Sequence, residues 1–357
     1  GTFNGDGHTI SGLYINDSTA DYQGLFGYVG SSGKVQNLSV SGSVKGNDYV
    51  GGVVGYNDNN GIVENCYNTG SVSGHDSVGG VVGQNHGSVK NCYNTDSVSG
   101  NSVGGVVGYN SGTVENCYNT GSVSGSYNVG GVVGYNHSDS SVTNSYNTGA
   151  VSGGEDVGGV VGYNSSIVEN CYNTGSVGGP DSGTSNYVGG VVGWNSGSGS
   201  GTVTGCYFLK GTAEKGIGSG EEFGAAAESV NDLSELCENF EIVTGWETNT
   251  TLGRPVLKDN HEDDGSEQHP YEIFTAAQLE TFRDLVNDEG GNPNAHAKLM
   301  NNIDLNPGIT FYADGTYSSP PGVAPQEWTP IGSDSKPYRG TFNGDGHTIS
   351  GLYINDS

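Results

Sequence analysis

Positive charge is scarce in this chain: 11 Lys+Arg stand against 39 Asp+Glu, a net charge of −28 over 357 residues. A surface this acidic repels phosphate, which argues against a nucleic-acid partner. Long apolar runs are also missing. No stretch of 18 or more apolar residues occurs, so no helical membrane span is expected. The first residues offer neither a basic n-region nor an apolar h-region, and no signal peptide is read there. Methionine occurs once, and the hydrophobic set reaches only 32%. Glycine is plentiful instead, at 65 residues, and each interior helical Gly costs ~1 kcal/mol, which argues against a helical bundle. High Gly with few apolar residues is a composition of disordered chains. The 21 Tyr and the regular placement of Val point the other way.

The regularity is a repeat. VGGVVG, followed by an aromatic residue or Gln and then Asn, begins at Val50, Val78, Val103, Val129, Val157 and Val188, at spacings of 28, 25, 26, 28 and 31. Between these lies NCYNTGSVSG or a near relative, beginning at Asn65, Asn91, Asn116, Asn144 and Asn170. A weaker copy, LFGYV and VQNLSVSGSV, opens the series. Before it, GTFNGDGHTISGLYI (Gly1–Ile15) reads as two short strands joined by a turn at Gly5–Gly7. Short Val/Tyr/Thr runs bounded by Gly, Asn and Ser are strand and turn signals, and no unit holds ten residues of helical period. The fold class is therefore all-β, a parallel β-helix (β-solenoid) with one unit per coil and short helical or strand capping segments.

Stacked coils place equivalent residues in columns. One column is Cys66, Cys92, Cys117, Cys171 and Cys206, with Ser145 in place of the fourth Cys. The next is Tyr67, Tyr93, Tyr118, Tyr146 and Tyr172, continued by Tyr207, whose rings would stack. The third is Asn68, Asn94, Asn119, Asn147 and Asn173, able to pass amide hydrogen bonds from coil to coil. These are structural columns. The paired glycines, Gly51 and Gly52 in the first full copy, suit positive φ or a close backbone approach at a corner.

Past residue 220 the character changes. Residues 1–220 carry 15 acidic and 5 basic residues, and residues 221–357 carry 24 and 6. The chain divides into a solenoid (1–220), a closing segment (221–258), an acidic linker (259–268), a lead-in or N-cap (269–339) and the start of a further solenoid (340–357). Within these, Gly224–Phe240 has helical spacing, and Trp246–Leu257 is expected to close the rod's end. Thr275 and Gln278 form a capping box ahead of Leu279, Phe282, Leu285 and Val286. Gly340–Ser357 repeats Gly1–Ser18 without a change, a period of 339 residues. The chain thus reads as slightly more than one period of a tandem array, with neighbouring copies of the same module as partners, head to tail.

The VGGVVGYN…VENCYNTGSVSG units resemble the GLUG repeat of bacterial cell-surface proteins, and the block from Tyr271 to Ile354 resembles the lead-in that precedes such repeats. That family occurs in adhesin-like secreted proteins and beside the catalytic domain of immunoglobulin-A-specific metallopeptidases. The resemblance implies a right-handed parallel β-helix, an extracellular or cell-surface location and a surface or adhesive role, and supplies no ligand. A host or extracellular glycan or protein is left open as a partner.

Catalytic chemistry has little to build on. A zincin needs HExxH, but His261-Glu262 is followed by Asp263, Asp264 and Gly265. No catalytic site is assigned. A polysaccharide lyase or hydrolase, the alternative reading for a β-helix, needs a cationic base or paired carboxylates. The solenoid has only isolated Lys34, Lys45, Lys90, Lys210 and Lys215, and its Glu64, Glu115 and Glu169 row is interrupted by Lys90 and Thr143. The column cysteines are read as buried free thiols because parallel Cβ vectors give poor disulfide geometry, with Cys66–Cys92 and a Cys117 pairing left open. No cofactor is assigned. Calcium alone stays open, on the turn oxygens of Asn4, Asp6, Asp58, Asn59 and Asn60, although turn chemistry explains the same residues.

Overall fold

A computed structural model describes residues 1–179, 187–196, 201–220, 227–240, 243, 246–249, 254–257, 270–273, 276–288, 291–299, 302–312, 316–344 and 346–354. The chain forms two compact units, Gly1–Asn260 and His261–Ser357.

The first unit is a parallel β-solenoid. One coil shows how the repeat maps onto it: Ser88–Lys90, Tyr93–Asn94 and Val98–Gly100 lie in one sheet, Val103–Gly104 in a second, and Val107–Asn110 in a third. Each strand pairs in parallel with its equivalents one coil away, as in Val89↔Val114, Val103↔Val129 and Tyr109↔Tyr135. The third sheet has eight strands, and seven gaps of ~4.8 Å give that stack a length of about 34 Å.

The Val-rich phrase fills the interior. Val103 and its equivalents form one buried column with Val98, while Val106 and Val107 join Val89 and Cys92 in another. Two adjacent valines can both face inward because the backbone turns a corner there. Val106 and Val107 donate their amides to one carbonyl, Val132 O, at 2.9 and 3.0 Å, and the same fork recurs at Val81/Val82 and Val160/Val161. The glycine pair serves close approach. A Cβ on Gly105 would collide with Gly131 O and with the Asn119 amide, and neither glycine of the pair has positive φ. Positive φ falls instead on the Asn that opens NCYN: Asn65, Asn91, Asn116, Asn144 and Asn170 lie between 48° and 53°, a region Asn tolerates better than most residues.

Three readings need correction. Thr2–Asn16 is one strand paired in parallel with Lys34–Lys45, not two joined by a turn. Its register is interrupted between Asn4 and His8 and between Ile10 and Leu13, where Asp6, Gly7 and Gly12 have positive φ. The expected helix over Gly224–Phe240 is shorter. Glu228–Val230 adds a strand beside Tyr207–Leu209, and α1 spans only Leu233–Phe240. Asp232 sets its start by accepting the Glu235 amide at 3.0 Å, while Glu235 reaches back to accept from Asn231 N at 2.7 Å, a reciprocal cap. Residues 221–226 lie outside the described residues.

The hairpin Trp246–Asn249/Arg254–Leu257 is antiparallel. It also departs from expectation. Trp246 packs against Tyr146 and Tyr172 at 5.8 and 5.5 Å, so the segment runs back along the solenoid flank as well as following its last coil. The acidic linker 259–268 lies outside the described residues.

In the second unit, α2 (Ala276–Asn287) buries Leu279, Phe282 and Val286 against Ile273, Ala297 and Leu299. Tyr271–Ile273 pairs in parallel with Ala297–Leu299, which pairs in parallel with Phe342–Asn343. Thr275 of the capping box lies outside the described residues.

Candidate functional surfaces

The cysteine column faces the core. Cys66, Cys92, Cys117, Cys171 and Cys206 are buried and unbridged. Each thiol lies 3.1–3.3 Å from the carbonyl oxygen two residues before it, as Cys92 Sγ does from Lys90 O. Burial, with neighbouring column thiols adding to it, pushes the Cys92 and Cys171 thiols far above their usual range. A thiol held protonated is a poor nucleophile. Ser145 fills the gap in kind: its hydroxyl donates to Thr143 O at 2.8 Å and accepts the Cys117 amide at 3.1 Å.

Asparagine forms three columns, of which only one was expected from the sequence. Asn68, Asn94, Asn119, Asn147 and Asn173 are buried, and each of the first four Nδ2 groups donates to the next Oδ1 at 2.7–2.8 Å. A second buried column links Asn57, Asn85, Asn110, Asn136, Asn164 and Asn195 at 2.8–2.9 Å. A third, half-buried, runs the opposite way: Asn116 donates to Asn91, Asn91 to Asn65, Asn65 to Asn37 and Asn37 to Asn4. The signals for both missed columns were in the sequence, as the Asn closing VGGVVGYN and the Asn opening NCYN.

The tyrosine column Tyr67, Tyr93, Tyr118, Tyr146 and Tyr172 stacks at 4.1–4.9 Å with rings within 20° of parallel. Its later members are roofed by Phe240, Trp246, Arg254 and Pro255. Tyr172 OH donates to Pro255 O at 2.6 Å and accepts from Arg254 Nη1 at 2.8 Å, and the Arg254 guanidinium sits 5.0 Å from the Tyr146 ring centre. A second aromatic column faces outward on the third sheet: Tyr28 and Tyr56 stack at 4.8 Å, Tyr109 and Tyr135 at 5.1 Å, and Tyr135 and Tyr163 at 4.9 Å. Gln84 breaks it, with His86 ring-stacked on Tyr56 at 5.2 Å. This column was visible in the repeat phrase but went unassigned.

The charged row is partly self-paired: Lys34–Glu64 at 2.8 Å and Lys90–Glu115 at 3.6 Å. Of the oxygens considered for calcium, Asn4 Oδ1 accepts from Asp6 N and Asn37 Nδ2, and Asp58 Oδ1 accepts from Asn59 N. Among the described residues no three His, Cys, Asp or Glu side chains converge as a metal site. Asp156 is the most displaced carboxyl: burial first, and the charge of Glu155 second, push it up to about 6.

The duplicated 18 residues are used on opposite edges. In the first unit Thr2–Asn16 pairs with the following coil, with Ile10↔Val40, Leu13↔Gly42 and Ile15↔Val44. In the second unit the identical segment pairs with the lead-in before it: Ala297↔Phe342 and Ile303↔Ile349. Backbone polarity agrees. Gly1 O accepts from Lys34 N, whereas Thr341 O, the twin of Thr2 O, accepts from Ala297 N, and successive carbonyls on a strand point to opposite edges. Burial is reciprocal. Tyr14 is 73% exposed while its twin Tyr353 stacks on Phe311 at 5.6 Å. Ile10, Leu13 and Ile15 are half-buried against the core, while their twins Ile349, Leu352 and Ile354 are 38%, 55% and 47% exposed.

A solenoid of near-identical coils held by inward columns is the architecture of a tandem-repeat protein. The GLUG motif matches residues 46–73, 74–99, 99–124, 125–152 and 153–178, so this stretch consists of five consecutive GLUG repeats. The chain is similar to halomucin of Haloquadratum walsbyi, 50% identical over 52 residues, 14% of this chain and 1% of halomucin. It is also similar to a candidate Gly-rich membrane protein of Evansella cellulosilytica, 34% identical over 92 residues, 26% of this chain and 9% of that one. The chain therefore spans only a small part of these relatives. The crystal structure of a candidate immunoglobulin A1 protease from Bacteroides ovatus superposes with a TM-score of 0.45 at 22% identity, covering 72% of this chain and 76% of that one. No helix among the described residues is long and apolar enough to cross a membrane.

Proposed function

We propose that the chain is a non-catalytic structural and adhesive module of a long extracellular tandem-repeat protein, projecting and spacing binding surfaces from a cell. The observation that carries this reading is the doubled use of one duplicated segment, whose described residues take the next coil on one edge in Thr2–Asn16 and a lead-in on the other at Phe342–Asn343 and Ile349–Ser350. A segment with both edges specified is a joint between modules. Repetition of weak flank contacts along an array gives avidity that one module lacks. The outward aromatic column and the acidic surface are the flanks available for those contacts. The test is to display one, two and three 339-residue periods on a cell surface with a tag at the far end. The tag's height and adhesion to extracellular glycans should both rise with module number. A constant height, or cleavage of a glycan by the purified module, overturns the proposal.

A further inference from the structure

We infer that the solenoid corner beside Tyr49 is a binding notch for a guanidinium group, presented by an arginine-rich polypeptide segment of a partner. The notch is a break in an aromatic column. At the corner before the VGGVVG phrase, Tyr22 and Tyr49 stack at 5.0 Å, both with positive φ, at 58° and 59°. The next two coils place Ser77 and Ser102 there. The Tyr49 ring therefore overlooks a serine floor two coil spacings deep, ~10 Å. Tyr56 closes a second side, edge-to-face with Tyr49 at 6.1 Å and 88°. The third sheet has a matching break in the same coil, where Gln84 stands opposite Tyr56, but His86 refills it by stacking on Tyr56 at 5.2 Å. No ring refills the break at Ser77. Among the described residues, rings contact Tyr49 only from Tyr22 and Tyr56.

Charge selects the occupant. Asp48 and Asp76 stand in register on neighbouring coils, and like charges placed opposite each other repel. Among the described residues their only ion pair is that of Asp48 with His75, at 3.0 Å. Burial first, then Tyr22 and the charges of Asp48, Asp76 and Asp21, raise the pKa of the Tyr49 hydroxyl. The complement is a cation, and the molecule shows which kind suits a tyrosine column. On the other column the Arg254 guanidinium sits 5.0 Å from the Tyr146 ring centre and donates to Tyr172 OH at 2.8 Å. It does so although Tyr118 and Tyr172 already flank Tyr146 at 4.9 Å on either side. A guanidinium also forks onto a carboxylate, which an ammonium cannot do. A second copy of this chain, at a net charge of −28, would be repelled, so the arginines come from a different molecule. The inference rests on the adhesive reading only for its setting, as it names a partner for a flank of that module.

The test is the binding of a fluorescent oligo-arginine peptide to the full-length protein, read by anisotropy at ~0.15 M salt, where attraction between distant charges is screened. Ser77→Tyr fills the notch without changing the charge, and Ser77 has the positive φ, 53°, at which Tyr22 and Tyr49 already carry a tyrosine. Ser77→Tyr and Asp76→Asn should each weaken binding at least tenfold. Oligo-lysine of equal length should bind more weakly than oligo-arginine. Glu169→Gln, which removes an exposed carboxylate on the first sheet, should leave the affinity within twofold. Unchanged binding by Ser77→Tyr, with native circular dichroism, would mean diffuse attraction and overturn the inference. So would equal losses from Asp76→Asn and Glu169→Gln, a comparison that decides the matter even if Ser77→Tyr does not fold. No peptide binding by the parent protein, or binding only of a neutral glycan that Ser77→Tyr abolishes, overturns it as well. Peptide binding by a module whose displayed array does not adhere would leave the notch standing and the adhesive reading fallen; an adhering array without peptide binding would do the reverse.

Discussion

Replacing Asn119 by Ala tests whether the amide columns stabilise the coil stack. Asn119 Nδ2 donates to Asn147 Oδ1 at 2.8 Å and to Gly121 O at 2.7 Å, and its Oδ1 accepts from Asn94 Nδ2 at 2.8 Å. Each such bond contributes ~1 kcal/mol net, and groups left unpaired in the interior add to the loss. The neighbours keep some partners: Asn94 Nδ2 still reaches Asp96 O at 2.6 Å, and Asn147 Oδ1 still accepts Gly149 N at 3.2 Å. The expected cost is therefore roughly 2–4 kcal/mol. Ser124→Ala in the same coil, at an exposed position, is the control and should stay within about 0.5 kcal/mol. Urea denaturation followed by far-UV circular dichroism gives the global cost. Amide exchange in the coils containing Asn94 and Asn147 gives its spread, which nearest-neighbour coupling should confine to adjacent coils. A cost below about 1 kcal/mol, or equal to that of the control, would refute the stabilising role.

Three further outcomes follow from the same geometry. In the native protein a maleimide should label only Cys237, the half-buried thiol, while Cys66, Cys92, Cys117, Cys171 and Cys206 react only in denaturant; peptide mass spectrometry reads the sites, and fast labelling of any column cysteine contradicts the burial argument. Asp156, raised to about 6 from 3.8, holds its proton more tightly folded than unfolded, so stability falls as pH rises from 3.8 through about 6. Asp156→Asn should then stabilise at pH 7 by about 1 kcal/mol, after allowance for partial solvent access, with the gain gone below pH 4; an equal gain at both pH values would show that charge is not the cause. Tyr172→Phe removes the hydroxyl joining Arg254 and Pro255, at a cost of about 1.5–3 kcal/mol. Limited proteolysis should then cut faster within 246–257, and unchanged cleavage there would mean the roof is held by packing alone.

How far the sequence led can be traced to particular residues. The Cys66, Tyr67 and Asn68 columns could be placed because a period of one coil aligns every position at once, whichever way its side chain points. The Asn57–Asn195 and Asn37–Asn116 columns used the same signal, yet Asn next to Gly reads equally well as turn chemistry, and only the register separates a turn former from a buried donor. Glu228–Val230 read as helix because Val230, Leu233 and Leu236 have helical spacing. The open edge at Tyr207–Leu209 claims those residues as a strand instead, a tertiary override of local pattern. The docking of Trp246 and Arg254 on Tyr146 and Tyr172 joins residues 74 to 108 positions apart without a repeat to index them. The bulged pairing of Thr2–Asn16 was hidden for a related reason: Gly5–Gly7 satisfies turn rules and bulge rules alike.

The claim underlying this account is that one coil joins two modules, and amide exchange at Ile349–Ile354 tests it most directly. The chain is extended past Ser357 by residues repeating Thr19–Asn260, and hydrogen exchange is compared with that of the 357-residue protein at equal concentration, low enough to suppress association. If Gly340–Ser357 is a joint, exchange across Ile349–Ile354 slows at least tenfold and approaches the rates of the corresponding residues Ile10–Ile15, whose following coil is already in place. Unchanged exchange at Ile349–Ile354, with the added coils folded, would contradict the account.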